Sequence, residues 1–197
     1  MVPIVLASAS PTRIALLRNA GIEFTAVAAQ IDERAIEAAL AASARPPAEI
    51  AAALAEAKAL SVVASRAGAL VIGADQVLSA DGRAWHKPST IGEARDQLIA
   101  LSGRTHELHS AIAVAREGTI GWRHSETVRL TMRPLTAGFI DDYLSRVGRE
   151  ALRSVGSYQI EGPGIQLFER IAGDYFAILG LPLLPLLAYL RNAGAIL

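Results

Sequence analysis

The chain has 197 residues, 52% of them hydrophobic, enough apolar mass for a substantial core in a single domain over 1–197 built as two lobes around a cleft. Nineteen basic residues balance nineteen acidic ones, so no global field draws in nucleic acid or an anionic membrane, and any attraction for a polyanion must be local. The absence of cysteine excludes disulfides, thiolate zinc sites and a cysteine nucleophile.

Apolar runs of strand length occur at Ile4–Ala7, Phe24–Ala28, Leu70–Leu78, Leu108–Ala115 and Thr127–Met132. Helical spacing occupies Pro11–Ala20, Pro47–Arg66, Ile91–Leu101, Thr136–Val147 and Leu183–Asn192. Ser10, Thr90, Thr136 and Ser89 are candidate caps, and Gly21, Gly68, Gly103 and Gly148 follow helical runs as stops. Residues 41–49, Ala-rich with Pro46-Pro47, read as an exposed connection. The alternation predicts an α/β fold, and the long runs near 108–132 predict an antiparallel pair inside a mixed sheet.

Nothing in the chain reads as an export or membrane segment. The opening MVPIVLAS has no basic region, and its apolar run is of strand length. The greasiest segment, Tyr175 to Leu190, falls short of the roughly 20 residues a spanning helix needs, and Pro182 and Pro185 interrupt it. It reads as a buried strand, a turn and a core helix, and a cytoplasmic protein is expected.

The polar exceptions to this apolar chain carry the candidate chemistry. In LASASPTRIALL a short strand breaks into Ser8-Ala9-Ser10-Pro11 and then a helix, with Arg13 one residue beyond Thr12. Backbone N–H groups, two hydroxyls and a guanidinium near one point suit an anion such as phosphate, although such junctions are common in α/β proteins. Asp32-Glu33 follows the second strand, where a turn or helix start would place both carboxylates at a strand end. Lys58, in AEAKAL, reads by itself as an exposed helical lysine near Glu56. Asp75 is more unusual: in VIGADQVL a carboxylate sits among residues that want burial, so it must be paired, hydrogen-bonded or metal-bound.

Two loops complete the set. In Trp85-His86-Lys87-Pro88 the proline restricts Lys87 and aims its ammonium, or else this is a plain surface turn. Gly156 to Gly164 presents Glu161 among glycines, which suggests either a structural turn or close approach to a ligand. His106 and His109, three apart on a strand, point to opposite faces and do not suggest a shared metal. Neither a P-loop nor a Rossmann fingerprint is present.

Taken in order, these blocks resemble the Maf family of nucleoside triphosphate pyrophosphatases. The matching residues are Leu6-Ala-Ser-Ala-Ser-Pro-Thr-Arg13, Asp32-Glu33, Ala57-Lys58-Ala59, Gly73-Ala-Asp-Gln-Val77, Lys87-Pro88 and Leu101-Ser-Gly-Arg-Thr-His106. Gly156-Ser-Tyr, Glu161-Gly-Pro-Gly-Ile165, Leu167-Phe-Glu169 and Gly180-Leu-Pro-Leu183 continue the series. The resemblance implies an elongated, twisted mixed sheet flanked by helices, of the Maf and ITPase type, in a homodimer. It implies hydrolysis of a nucleoside triphosphate to the monophosphate and pyrophosphate, with a divalent cation (Mg2+ or Mn2+) as cofactor and the nucleotide as the small-molecule partner.

By the same resemblance Asp75 is the catalytic carboxylate, and Glu33 with Asp75 holds the metal. Ser8, Ser10, Arg13, Lys58 and Lys87 cradle the phosphates, while Thr12, Gln76 and Glu161 bear on specificity. The family's opening has two arginines after Ser-Pro; here Thr12 replaces the first, which touches the base-selecting side of the site. Asp75-Gln76-Val77, Glu161-Gly-Pro-Gly-Ile165 and Leu167-Phe-Glu169 resemble the branch acting on 7-methyl-GTP rather than the pyrimidine branch acting on dTTP and UTP. A physical argument favours the same assignment if Glu161 faces the base. A carboxylate can accept both N1–H and the 2-amino group of guanine, and N7 methylation adds ring charge that it favours. A nucleotide-binding regulator of cell division without turnover is the remaining alternative from another class.

Overall fold

The computed structural model describes residues 2–197. Seven strands form one mixed sheet: β1 (Ile4–Leu6), β2 (Thr25–Ala26), β3 (Leu70–Ala80), β4 (Arg83–Trp85), β5 (Thr105–Arg116), β6 (Thr119–Met132) and β7 (Phe168–Ala172). Their order is β2-β1-β3-β5-β6-β7, with β4 paired to β3. Among the described residues seven α-helices accompany them: α1 (Pro11–Asn19), α2 (Glu33–Ala42), α3 (Pro47–Val63), α4 (Ile91–Leu101), α5 (Ala137–Val147), the single turn α6 (Tyr175–Ile178) and α7 (Leu183–Asn192). The chain forms two compact units, and β3, β5 and β6 each run from one into the other. The first takes the chain up to Gln76, then His109–Thr127 and Asp174–Leu197; the second takes Val77–Leu108 and Val128–Gly173.

In the first unit β1 lies between β2 and β3, parallel to both, with Val5 opposite Thr25 and Val71, and Leu6 opposite Ala26 and Ile72. Side chains alternate across a strand. Leu70, Ile72 and Ala74 therefore share one face, packed with Leu17 of α1 and Leu183, Leu186 and Leu190 of α7. Val71, Gly73 and Asp75 share the other, which α3 covers. A Cβ on Gly73 would lie 2.0 Å from the Ala55 carbonyl oxygen and 2.6 Å from the Ala59 amide nitrogen. Only glycine lets the α3 backbone come this near to β3, and that approach sets where Lys58 ends.

In the second unit β3 turns back at Asp81-Gly82, both with positive φ (51° and 73°), so that Leu78 faces Trp85 on antiparallel β4. This Asp-Gly pair is a type I′ hairpin signal, and Glu117-Gly118 (φ 52° and 81°) closes the β5–β6 hairpin the same way. The two-residue connection makes β5 and β6 antiparallel, as expected. Strand β7 pairs antiparallel with β6, Leu130 opposite Ile171.

Several sequence expectations need correction. The Tyr175 segment is a helical turn and not a buried strand, because the Asp174 side chain accepts the Ala177 N–H at 2.9 Å and caps it. Strand β6 starts at Thr119 rather than Thr127: its first half alternates polar and partly buried residues and shows no apolar run. Strand β2 is two exposed residues at an edge, not a five-residue core strand. Strands β4 and β7 were not expected as elements, and of the turn or helix start offered at Asp32-Glu33 the structure has the helix start, opening α2. Ser89 is not a cap; Thr90 is, accepting the Glu93 N–H at 3.1 Å, while Ser89 donates its own N–H to Glu93. Helices α4 and α7 match their expected bounds.

Gly73→Ala forces α3 away from β3 and is expected to cost about 3 kcal/mol or more. Urea denaturation measures this, and wild-type stability in the variant would contradict the close approach.

Candidate active site

Lys58 is the residue around which the first unit's polar groups gather. It shares the β3-facing side of α3 with Ala55 and Ala59, which lie three residues before it and one after it, four apart from each other. Its ammonium contacts Asp75 Oδ1 directly and Glu33 Oε1 at 2.9 Å. The Lys58 and Asp75 side chains are only 9% and 10% exposed, whereas Glu33 is 51% exposed. Glu33 opens α2, whose cap is Asp32, accepting the Ala35 N–H at 3.0 Å. The reading of Lys58 as a solvated lysine beside Glu56 is therefore overturned: Glu56 pairs with Arg123 instead, through two contacts of 2.8 and 3.0 Å. A buried carboxylate needs such a partner, because an unpaired ion there costs several kcal/mol.

Arg13 leaves α1 and spends two donors on main chain: Nε on the Gly180 carbonyl and Nη1 on the Ala74 carbonyl, each at 2.8 Å. Burial pushes its guanidinium below the usual arginine range, while the charges of Asp75 and Glu33 oppose that shift. At the start of α1, Ser8 Oγ accepts the Ser10 N–H at 3.2 Å and Ser10 Oγ accepts the Arg13 N–H at 3.4 Å. The expectation that amides of Ser10–Arg13 are open to an anion is thus narrowed. Two of those amides serve hydroxyls and Pro11 has none. Thr12 follows in the first turn, half-buried.

Gln76 points to the opposite face from Asp75. Its Nε2 lies 2.9 Å from Ser110 Oγ, the Ala177 carbonyl and the Ile178 carbonyl. The structure thus joins Lys58, Asp75 and Glu33 directly, and ties Arg13 to the residue before Asp75.

Lys87 and Glu161 belong to the second unit, and both are exposed. Within that unit Gln97 of α4 links their two loops, a residue that sequence reasoning passed over. Its Nε2 donates to the His86 carbonyl at 2.8 Å, and its Oε1 accepts from Ser157 Oγ at 3.3 Å. Ser157 is fully buried with φ 65°, and its carbonyl accepts the Tyr143 hydroxyl at 3.1 Å. The glycines of this loop serve its own fold. Gly156 has φ 79°, and a Cβ there would lie 2.6 Å from the Tyr158 ring. A Cβ on Gly164 would lie 2.5 Å from the Gln159 carbonyl oxygen, so of the two readings, structural turn or close approach to a ligand, these two glycines fit the structural turn.

His106 Nε2 meets the Tyr158 hydroxyl at 2.7 Å, and burial lowers its pKa to about 4, which keeps the ring neutral near pH 7. His109 meets Thr127 instead, at 3.0 Å. Among the described residues no group of three or more His, Asp or Glu side chains could hold a metal ion by itself.

The family model described as "Maf-like protein" matches residues 3–193. The chain belongs to this family. A "7-methyl-GTP pyrophosphatase" of Rhizobium meliloti (strain 1021) is 58% identical over 193 residues, covering 98% of this chain and 97% of that one. Another protein of that name, from Brucella abortus biovar 1 (strain 9-941), is 57% identical over 99% of this chain and 98% of its own. A "Nucleoside triphosphate pyrophosphatase" of Rhodopseudomonas palustris (strain BisB18) is 52% identical over 96% and 93%. A solved structure of a HAM1 protein from Coxiella burnetii is 20% identical, with TM-score 0.43, over 67% of this chain and 73% of that one, too distant to bear on the site.

Lys58→Met leaves Asp75 buried without its counter-charge and is expected to destabilise the fold by about 3 kcal/mol. Adding Asp75→Asn should recover most of that loss in urea denaturation. Additive losses would show that the two side chains do not act as a pair.

Proposed function

We propose that this Maf-family chain hydrolyses a nucleoside triphosphate, with 7-methyl-GTP the preferred substrate, to the monophosphate and pyrophosphate, clearing modified nucleotides from the pool. The observation that carries this reading is the buried Asp75–Lys58 pair with Glu33 beside it, in a chain whose full-length relatives bear pyrophosphatase names.

Cleavage at the α-phosphorus needs a water held in line, a group to take its proton and cations against the charge that grows on the phosphates. Asp75 is a rigid carboxylate suited to the first two tasks. Lys58, held at Asp75, is the cation nearest to it and can turn to a phosphate oxygen. Ser8 and Ser10 offer hydroxyls at the start of α1, and by family resemblance Lys87 is a further proposed phosphate ligand. Arg13 acts chiefly by fixing main chain and adding positive potential, since two of its donors are committed.

Two carboxylates meeting at one ammonium fit a divalent ion of the magnesium class, which commonly takes one or two carboxylates and completes its shell from substrate phosphates and water. Glu33 and Asp75 would hold it; when bound, such an ion neutralises charge along the triphosphate. The cytoplasm, where the nucleotide pool lies, is the proposed location; no helix among the described residues is long and apolar enough to cross a membrane.

Glu161 is the proposed base reader and carries the preference for 7-methyl-GTP. Thr12, small at this position, leaves the base less constrained. A purely regulatory, non-hydrolytic role is disfavoured, since an ion pair this deeply buried is costly to keep for partner binding alone.

Pyrophosphate release should be measured for 7-methyl-GTP, UTP and dTTP, with and without magnesium. The expected result is magnesium-dependent turnover with kcat/KM at least about tenfold higher for 7-methyl-GTP. Asp75→Asn should lower kcat by about a thousandfold or more while remaining folded. Preference for UTP or dTTP, or binding without cleavage, would overturn the reading.

A further inference from the structure

We propose that Gln76 and Ser110 are positioning residues for Asp75, locking the strand on which it sits to a single turn at residues 177–180. The inference rests on Asp75 being the reactive carboxylate.

In β3 the side chains of Ala74 and Gln76 face away from Lys58, opposite to Asp75. Both neighbours of Asp75 are nonetheless tethered to the same short stretch. After it, Gln76 Nε2 reaches the carbonyls of Ala177 and Ile178 and the Ser110 hydroxyl, all at 2.9 Å. Ser110 is 1% exposed and donates to the Ala177 carbonyl at 2.6 Å. Before it, the Ala74 carbonyl accepts from Arg13 Nη1, and the same guanidinium donates through Nε to the Gly180 carbonyl.

The anchoring turn is itself built to stay put. Asp174 caps it, Gly180 closes it at φ 85°, and the Gly180 N–H donates to the Ala177 carbonyl at 3.0 Å. At the Ala177 carbonyl Gln76 and Ser110 add to the Gly180 N–H, and Gln76 also reaches the Ile178 carbonyl, near the end of the turn where helical carbonyls run short of partners. Asp75 thus stands between two clamps that share one base. Displacing a reacting group by about 1 Å can cost about a hundredfold in rate, so a carboxylate on a strand gains directly from such bracing.

This differs from a base-reading role for Gln76, whose amide protons are spent on protein oxygens. The two roles separate in kinetics. A base reader alters the ratio between nucleotides, whereas a positioning residue slows all of them alike.

The test uses full-length Ser110→Ala and Gln76→Met, with Ile112→Val, a packing change in the same core, as control. Ser110→Ala and Gln76→Met should each lower kcat by about 10- to 100-fold, equally for 7-methyl-GTP and UTP, with KM within about threefold. Ile112→Val should keep kcat. Amide hydrogen exchange at Leu179, Gly180 and Leu181 should quicken in both test variants.

Unchanged kcat in both, a loss confined to KM, or a Gln76→Met effect on one nucleotide only would overturn the proposal, as would the same kcat loss in Ile112→Val. If the wild-type protein cleaves neither nucleotide, the functional reading fails on its own. The exchange arm still decides the tether, and unchanged exchange overturns it.

Discussion

The ion pair between Lys58 and Asp75 is the constraint that orders the first unit. A carboxylate in the middle of an apolar strand and an ammonium on a covering helix are each untenable when buried alone, and together they fix helix against strand. The approach that lets them meet depends on three residues without bulk, Gly73 on β3 and Ala55 and Ala59 on α3. Glu33 joins from the first residue of α2, so the pair also locates a helix that buries none of its own side chains. Charge here does the tethering that apolar contact does elsewhere.

The opposite face of β3 is held differently. There neutral donors, the Gln76 amide and the Ser110 hydroxyl, and one buried guanidinium satisfy main-chain carbonyls around residues 74 and 177–180. The amide and the hydroxyl specify position without adding charge, and the guanidinium adds a positive one. The strand thus carries a charged face at Asp75 and a mostly neutral, hydrogen-bonded one at Gln76. The period of two in its side chains makes that division possible.

Much of this was legible in the sequence. Asp75 stood out because nothing else in its run is ionisable. Helices α1, α4 and α5 carried both a periodic pattern and a capping residue, Ser10, Thr90 and Thr136, while α7 carried the periodic pattern alone. The elements that escaped lacked one of these signals. Strand β4 is three residues behind an Asp-Gly turn, and the first half of β6 has no apolar run; the start of α2 at Asp32-Glu33 was offered, but its extent was not, since it has no buried side of its own. Lys58 could not be read as buried from AEAKAL alone, since its burial follows from the glycine opposite on a strand fifteen residues later. Gln97 and Ser110 carry no motif, and their importance comes only from the carbonyls that folding brings to them. The glycines of the 156–164 loop were visible, but their reason was not: they make room for the loop's own ring and main chain.

A crystal structure with magnesium and a non-hydrolysable α,β-imido analogue of 7-methyl-GTP tests the account most directly. It should show the α-phosphate within one water of the Asp75 carboxyl, with the Lys58 ammonium turned to a phosphate oxygen. A nucleotide bound elsewhere on the protein, with Lys58 and Asp75 left as they are, would contradict it.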